Sequence, residues 1–494
     1  MSEPRTVPPT SLRRSWIALS VLLVGSFMSL LDATIVNVAL PSIRTGIDAS
    51  ESTLSWIISG YALAFGLALI PAGRLGDRFG HKWVFFTGLA LFTAASVACG
   101  LAQDDTQLVV ARVVQGLAGG IYFPAVTAFI QLLFPGRVRG KAFAILGAVI
   151  GVSSALGPLA GGVIIEAFGE DVGWRLVFGV NLPIGVLALV AAAILLPSGR
   201  GDDRRASTGV DFIGLLLLSA GLIAVLVPLI DGQDQGWPLW TYVSLAAGVA
   251  LIVLFARWEL SVARRGKNPL VPPHLYSHAA FTGGTILALV YFAAFTSIFF
   301  SLSILWQTGL GYTALETGLV TLPFAIGSIV GASQSDRLSS ALGRTVLVIG
   351  VGMVTVGLGS LWLVLLLVPA SDVSGWTVLL PLLIAGVGSG LFIAPNAQFI
   401  VATVGRQEAG AASGVIGTMQ RLGSAIGVAV VGSVFFGTLS LPAGRPSAAD
   451  LATAFSDSAA ASLGVSAVFA LLAFALVFTL PRRIDRGYDA PAEN

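Results

Sequence analysis

The sequence predicts an all-helical protein that crosses a membrane many times. Hydrophobic residues make up 55% of the 494 residues, charged residues only 11%, and the mean hydropathy is +0.90. A soluble domain carries about a quarter charged residues, whereas about 20 consecutive apolar residues suffice for a helix to cross a bilayer. Apolar stretches of that length follow one another along the whole chain, so we predict a polytopic membrane protein.

Fourteen apolar stretches are long enough to cross the membrane. They cover residues 15–40, 54–73, 83–101, 107–131, 139–165, 175–196, 212–230, 239–257, 280–305, 317–335, 345–368, 376–402, 410–438 and 460–480. The first stretch ends in a polar segment and not at a small-residue cleavage site, so we interpret it as a retained span and not as a secretory signal.

The loops between these spans differ in charge. If both termini are cytoplasmic, most of the 27 basic residues fall in cytoplasmic segments, whereas Arg44, Arg175 and Arg445 fall in outer loops. An excess of Lys and Arg in cytoplasmic loops is typical of membrane proteins. We therefore predict an even number of spans, with the N- and C-termini in the cytoplasm.

The net charge and the few cysteine and histidine residues exclude several functions. A net charge of +2 gives no indication of nucleic-acid binding, and the single cysteine, Cys99, excludes a disulfide framework or a thiolate metal site. His274 and His278 have the i, i+4 spacing of metal ligands, but no third ligand is near them in sequence. We therefore predict no metal site, no cofactor and no enzymatic activity.

Two pairs of segments repeat across the chain. QGLAGGIYFPA (115–125) is similar to IAGVGSGLFIAPN (384–396), and GRLGDRFGHK (73–82) is similar to SDRLSSALGR (335–344). Spans 2 and 4 thus match spans 10 and 12, which predicts two six-helix halves separated by an inserted pair, a 6+2+6 arrangement. Such duplicated halves suit a carrier that works by alternating access. The predicted regions are a cytoplasmic tail (1–14), an N-terminal bundle (15–198), a linker with two extra helices (199–269), a C-terminal bundle (270–481) and a second cytoplasmic tail (482–494).

Five motifs carry a resemblance to a known family. GRLGDRFGHK resembles the signature loop of the major facilitator superfamily, LVVARVVQGLAGG (108–120) its span-4 motif, and SSALGPLAGG (153–162) the span-5 motif of its exporters. With LDATIVNVALP (31–41) and WRLVFGVNLPIG (174–185), the chain resembles the fourteen-span drug:proton antiporters of the EmrB/QacA type.

The resemblance implies a major facilitator fold and a multidrug efflux function. It implies a monomer in the bacterial cytoplasmic (inner) membrane that confers antibiotic resistance, driven by the proton gradient without a cofactor. It also implies roles in conformational switching for residues of the two glycine-rich motifs, namely Gly73, Gly76, Asp77, Arg78, Gly157, Pro158, Gly161 and Gly162. The alternative is that these glycines only provide close helix packing.

Asp32 is an acid in an otherwise apolar span, where an unpaired charge costs several kcal/mol. At a rise of ~1.5 Å per residue, Asp32 in span 1 and Arg112 in span 4 lie at a comparable depth in the outer half of the membrane. Either the two charges pair permanently, or both face a water-filled cavity. We predict that Asp32 carries the coupling proton and that Arg112 modulates its proton affinity.

A second membrane charge, Arg421, lies in span 13 next to Gln420. It either snorkels to the cytoplasmic surface or lines the central cavity. Aromatic and amide groups suit a large, mostly apolar ligand with few fixed polar contacts. The predicted substrate-binding residues are Tyr61, Tyr122, Phe123, Tyr291, Phe295, Phe324, Phe392, Asn396, Gln420 and Arg421.

The sequence therefore predicts a proton-coupled antiporter that exports amphipathic drugs or antibiotics. Its partners are a small amphipathic substrate, protons and the lipid bilayer. The middle of spans 9 to 14 holds no acid, which favours neutral, zwitterionic, anionic or monocationic cargo over dications. Alternatives are an exporter of an endogenous lipid, a siderophore or a self-made antibiotic, and a solute symporter.

Overall fold

The chain is helical throughout the part that its computed structural model describes, with no β-strand there. The described residues are 9–134, 136–197, 211–232, 235–267, 269–271, 273–401, 404, 409–442 and 446–481. The α-helices in these ranges are α1 Pro9–Gly46, α2 Glu51–Phe79, α3 His81–Leu101, α4 Asp105–Leu133, α5 Gly136–Phe168, α6 Glu170–Gly179, α7 Asn181–Leu195, α8 Phe212–Asp231, α9 Leu239–Arg264, α10 Ala279–Ile304, α11 Ala314–Leu342, α12 Thr345–Leu367, α13 Gly375–Val401, α14 Ala409–Thr438 and α15 Ala448–Leu476.

Thirteen helical segments within the described ranges are long and apolar enough to cross a membrane. In the fifth predicted span the described apolar segment is shorter, Leu156–Phe168, although α5 itself runs over Gly136–Phe168. The sixth predicted span is broken into two helices, since α6 ends at Gly179 and α7 begins at Asn181. Pro183 lies in the first turn of α7, where proline fits best because the first N–H groups of a helix have no intrahelical partner.

The last span begins at Ala448, twelve residues before the predicted boundary at 460. Ser447 caps its N-terminus: the Asp450 N–H donates to Ser447 Oγ at 3.2 Å, and the Ser447 N–H donates to Asp450 Oδ2 at 2.9 Å. This reciprocal capping box starts a helix in a segment whose polar residues conceal it from hydropathy. The exposed Asp457 therefore lies inside α15, although it precedes the span predicted at 460–480.

Corresponding helices pack in the same pairs in two groups. In the first group α2 packs on α4, α3 on α4 and α7, and α1 on α5 and α7. In the second group α11 packs on α13, α12 on α13 and α15, and α10 on α14 and α15. The two groups meet where α2 packs on α14, α5 on α11 and α1 on α10.

The groups are joined at the end of the bundle that holds the α1–α2 connection, which we name the far end. The Gln307 side chain donates to the backbone oxygen of Val38 at 2.9 Å, and the Ser303 hydroxyl donates to the backbone oxygen of Asn37. Ser59 Oγ of α2 donates to the Ala425 oxygen of α14 at 3.2 Å. These contacts close the far end along the α1–α10 and α2–α14 seams.

The α8–α9 hairpin is attached to both groups. Helix α8 packs on α2 and α14, and Trp56 Nε1 of α2 donates to Asp231 Oδ1 at 2.8 Å. At the other end of the hairpin, the buried Glu259 accepts a hydrogen bond of 2.7 Å from the Val271 N–H. The hairpin thus contacts the seam between the groups.

Candidate functional site

Asp32 lies in α1 and forms an ion pair with Arg112 of α4. Arg112 Nη1 is 2.6 Å from Asp32 Oδ2, which agrees with the common depth that the sequence predicts. The Asp32 side chain is 0% exposed and the Arg112 side chain 1%. Burying two charges is costly unless their remaining hydrogen-bonding groups are also satisfied, so the surroundings of the pair decide its stability.

Two amide side chains complete the pair. Gln115 Nε2 and Asn181 Nδ2 both donate to Asp32 Oδ1, at 2.9 and 2.7 Å. Arg112 donates to Gln115 Oε1 at 2.7 Å and, through Nε, to the Ile57 carbonyl at 3.0 Å. Each carboxylate oxygen therefore has at least one donor, as a buried carboxylate requires.

A second layer fixes the positions of these groups. The Tyr61 ring lies 4.1 Å from the Arg112 guanidinium carbon, and its hydroxyl donates to the Ser29 carbonyl at 3.0 Å. Asn181 Nδ2 also donates to Ser96 Oγ at 2.9 Å, and Cys99 Sγ lies 3.5 Å from Gln115 Oε1. The site therefore draws on α1, α2, α3, α4 and α7, so movement of any of these helices would disturb it.

In this conformation Asp32 and Arg112 form an ion pair and do not both face a water-filled cavity. The sequence alone does not single out Gln115 or Asn181, although Gln115 lies in the motif at 108–120 and Asn181 in the motif at 174–185. The i, i+3 spacing of Arg112 and Gln115 places them on one face of α4, which is the signal that could have found Gln115. The proton-carrying role of Asp32 stays a prediction.

The predicted substrate residues of the first group make internal contacts. The Tyr122 hydroxyl donates to the Gly25 carbonyl at 2.9 Å, and Tyr122, like Tyr61, is fully buried. Phe123 is half-buried and meets the Phe65 ring edge-on, with centroids 5.7 Å apart. Of these three predicted contacts, only Phe123 reaches accessible space in this conformation.

The predicted residues of the second group form one aromatic cluster. The Tyr291 and Phe392 ring centroids are 4.1 Å apart, and Phe295 lies 5.7 Å from Phe324. Asn396 Nδ2 donates to the Gly284 carbonyl at 3.2 Å. The Tyr291 hydroxyl and Asn396 Oδ1 are buried without a hydrogen bond to any described residue, so both could bind a ligand or water.

Arg421 extends across the seam between the groups. Its guanidinium carbon lies 4.1 Å from the centroid of Phe65 in α2, and both Arg421 and Gln420 are half-buried. A neighbouring contact, from Thr418 Oγ1 to the Gly66 carbonyl at 2.8 Å, holds α14 against α2. Arg421 therefore points at the opposite group of helices in this conformation.

The glycine motif of α5 packs closely on two helices. A Cβ atom at Gly157 would lie 2.0 Å from Thr34 Oγ1 of α1, and one at Gly161 would lie 2.9 Å from the Ile35 carbonyl. A Cβ atom at Gly162 would lie 2.7 Å from the Ala314 carbonyl of α11, in the other group. Only glycine permits such close backbone approach.

The structure describes three of the other residues with predicted switching roles, namely Pro158, Gly73 and Gly76. Pro158 is buried inside α5, and its carbonyl oxygen would be 2.7 Å from a Cβ atom at Gly318 of α11. Gly73 and Gly76 lie in the last turns of α2. The side chains of Asp77 and Arg78 lie outside the described part of the chain, so their role in switching stays a prediction. Among the described residues, no group of three or more His, Cys, Asp or Glu side chains could hold a metal ion.

We expect Asn181→Ala to lower the thermal stability of the purified protein. The substitution removes one of the two hydrogen bonds to Asp32 Oδ1, so that this buried oxygen accepts only the hydrogen bond from Gln115. Loss of a buried hydrogen bond to a charged group costs about 1–3 kcal/mol. Asn37→Ala is the matched control, because the Asn37 amide donates only within its own helix among the described residues. Equal melting temperatures for the two variants would contradict the assignment of Asn181.

The helices, their packing and the buried ion pair define a polytopic membrane protein. The chain belongs to the Major Facilitator Superfamily, whose family model matches residues 22–428. It is 38% identical over 434 residues to the probable actinorhodin transporter of Streptomyces coelicolor, an alignment covering 87% of this chain and 74% of that protein. It is 35% identical over 430 residues to the tetracenomycin C resistance and export protein of Streptomyces glaucescens, covering 86% and 77%.

Solved structures agree on the fold. The crystal structure of a D-xylose-proton symporter superposes with a TM-score of 0.65 over 94% of this chain and 98% of that one, at 14% sequence identity. That likeness shows the fold alone. The family model and the relatives confirm the superfamily resemblance found in the motifs, and the family and its relatives are transporters and not enzymes. The chain is therefore a multi-pass transporter of the bacterial cytoplasmic membrane.

Proposed function

We propose that this protein exports amphipathic drugs or antibiotics in exchange for protons, by alternating access, with Asp32 as the proton carrier. The observation that carries the proposal is the fully buried ion pair of Asp32 and Arg112 inside a membrane protein. An ionisable pair at this depth is expensive, and such residues in transporters usually mark proton or substrate pathways.

The contacts of Asp32 suggest how a proton changes the conformation. Protonation converts the carboxylate into a carboxylic acid and removes the charge that balances Arg112. Arg112 would then be a buried cation without a counter-ion, which costs several kcal/mol. The conformation in which Asp32 and Arg112 are buried together is therefore stable only while Asp32 is ionised. Proton uptake favours a different conformation, in which water reaches Arg112. Cargo export is coupled to proton import if cargo binds preferentially to the conformation in which Asp32 is ionised.

The cargo class rests on the relatives and on the aromatic residues. Two relatives carry names that assign them to the transport or export of actinorhodin and tetracenomycin C. The Tyr291–Phe392 cluster would suit a large, mostly apolar molecule. Because the tetracenomycin C protein is named for both resistance and export, an antibiotic that the cell makes itself is the second candidate cargo.

The architecture proposed with this function is that of the fourteen-span drug:proton antiporters. It has fourteen spans in a 6+2+6 arrangement, with both termini in the cytoplasm. The corresponding helix pairs of the two groups support the duplication. We also propose that the protein works as a monomer with protons as its only energy source and without a cofactor.

The test is expression in a bacterial host that lacks its own efflux pumps. Growth on a panel of dyes and antibiotics should reveal at least one compound whose inhibitory concentration rises several-fold. Everted vesicles from the same cells should accumulate that compound when respiration acidifies them and stop when a protonophore is added. Accumulation that persists undiminished with the protonophore would exclude proton coupling.

A further inference from the structure

Arg421 is a membrane-embedded cation whose surroundings differ from those of Arg112. Arg112 is fully buried and donates hydrogen bonds to Asp32, Gln115 and a backbone carbonyl. Arg421 is half-buried, and among the described residues it forms no hydrogen bond and no ion pair. A guanidinium carries five N–H donors, and leaving them unpaired inside a membrane protein is unfavourable unless they face water or a ligand.

No acid among the described residues pairs with the positive charge of Arg421. The charge of Asp32 is already cancelled by Arg112 at 2.6 Å. In the second group, Glu316 accepts from the Thr313 N–H at a helix start, and Asp450 does the same for the Ser447 N–H. Neither these two acids nor Asp457 of α15 forms an ion pair with Arg421. The middle of the described bundle therefore carries one uncompensated positive charge, which attracts an anion.

Aromatic rings lie directly beside this charge. The Phe65 ring stacks under the guanidinium at 4.1 Å and contacts Phe123 of α4, whose ring is half-buried. Gly119 makes room for this arrangement, because a Cβ atom there would lie 2.7 Å from the Phe65 ring. The contact with Phe65 uses the face of the ring, so the N–H groups of the guanidinium stay available for a ligand.

We infer that Arg421 binds the acidic group of an aromatic cargo, while Phe123 and the neighbouring rings contact its apolar body. The group would be a carboxylate, a sulfonate or an ionised phenol, since each offers oxygen atoms to the N–H edge of the guanidinium. The inference narrows the cargo of the proposed exporter to amphipathic aromatic acids, and in that respect it rests on the proposed function.

The test compares two probes that differ in one acidic group. The probes are 1-anilinonaphthalene-8-sulfonate and N-phenyl-1-naphthylamine, which share the same ring system with and without a sulfonate. Each is titrated by fluorescence into the full-length protein in lipid nanodiscs, and empty nanodiscs supply the background. We expect Arg421→Gln to weaken sulfonate binding at least tenfold while binding of the neutral amine changes less than twofold. Arg421→Lys should keep part of the sulfonate affinity, because it keeps the charge but loses the planar fork.

Two controls separate this site from general attraction and from misfolding. Arg265→Gln removes an exposed charge at the end of α9 and should leave both affinities unchanged. Unchanged binding of the neutral amine shows that Arg421→Gln is folded. Unaltered sulfonate binding by Arg421→Gln, or an equal loss for both probes, would overturn the inference. Because the assay measures binding without a proton gradient, its failure would leave proton-coupled export untouched, and a failure of export would leave the anion site untouched.

Discussion

Replacing Asp32 by Asn should abolish proton-driven export while the protein still inserts into the membrane. Asparagine has nearly the same shape as aspartate and can still contact Gln115 and Asn181, but it cannot take up or release a proton. It also removes the only carboxylate bonded to Arg112 within the described ranges. Transport in everted vesicles should fall to the level of vesicles without the protein, and gel filtration in detergent measures whether the variant is folded.

The stability of this variant provides a second readout. Breaking a buried ion pair by removing one partner costs about 3–5 kcal/mol, because the other charge stays buried without compensation. A double variant, Asp32→Asn with Arg112→Gln, carries neither charge and should recover part of the lost melting temperature without recovering transport. Asp372→Asn, in an exposed loop, is the matched control and should behave like the unsubstituted protein. Normal export by Asp32→Asn would exclude it as the proton carrier.

Gly162→Ala should shift the protein toward a state that is open at the far end. The added methyl group would lie 2.7 Å from both the Ala314 carbonyl and the Leu315 Cα, which are backbone atoms of the other group. Rigid backbone atoms cannot turn aside as a side chain can, so the α5–α11 seam must separate. We expect export to fall at least tenfold, because a carrier held in one state cannot complete its cycle.

The opening can be measured by labelling a cysteine at the closed seam. Ser303 is buried and donates to the Asn37 carbonyl, so a Ser303→Cys side chain is shielded while the far end is closed. Maleimide labelling of this cysteine in the purified protein should rise several-fold when Gly162→Ala is added. Gly359→Ala is the control, since a Cβ atom at Gly359 meets no atom within 4 Å. Labelling that stays low in Gly162→Ala would contradict the role of the α5–α11 contact.

Much of the fold could be predicted because the bilayer imposes a simple rule on the sequence. A helix that faces lipid must be apolar over its whole length, so hydropathy locates α10 and α12 to within a residue or two. The rule fails where a helix extends beyond the apolar core. It missed the start of α15, which a capping box and not hydropathy defines, and the break between α6 and α7 at Val180.

The candidate site was predicted in part for a similar reason. A charge in an apolar span is conspicuous, so Asp32, Arg112 and Arg421 could be found from the sequence. The amides that complete the pair could not, because asparagine and glutamine are common and only the packing of α4 and α7 shows that Gln115 and Asn181 meet one carboxylate. The side-chain direction of Arg421 likewise depends on how α14 lies against α2, which no local pattern encodes.

The most direct test of the central claim is to measure protons released when cargo binds. The purified protein is placed in weakly buffered detergent solution with a pH indicator, and a compound identified as cargo by the growth assay is added. If cargo favours ionised Asp32, binding should release protons from the unsubstituted chain, with the release growing as the starting pH is lowered and more of the cargo-free protein is protonated. Asp32→Asn should release none. Equal proton release from both proteins would contradict the account.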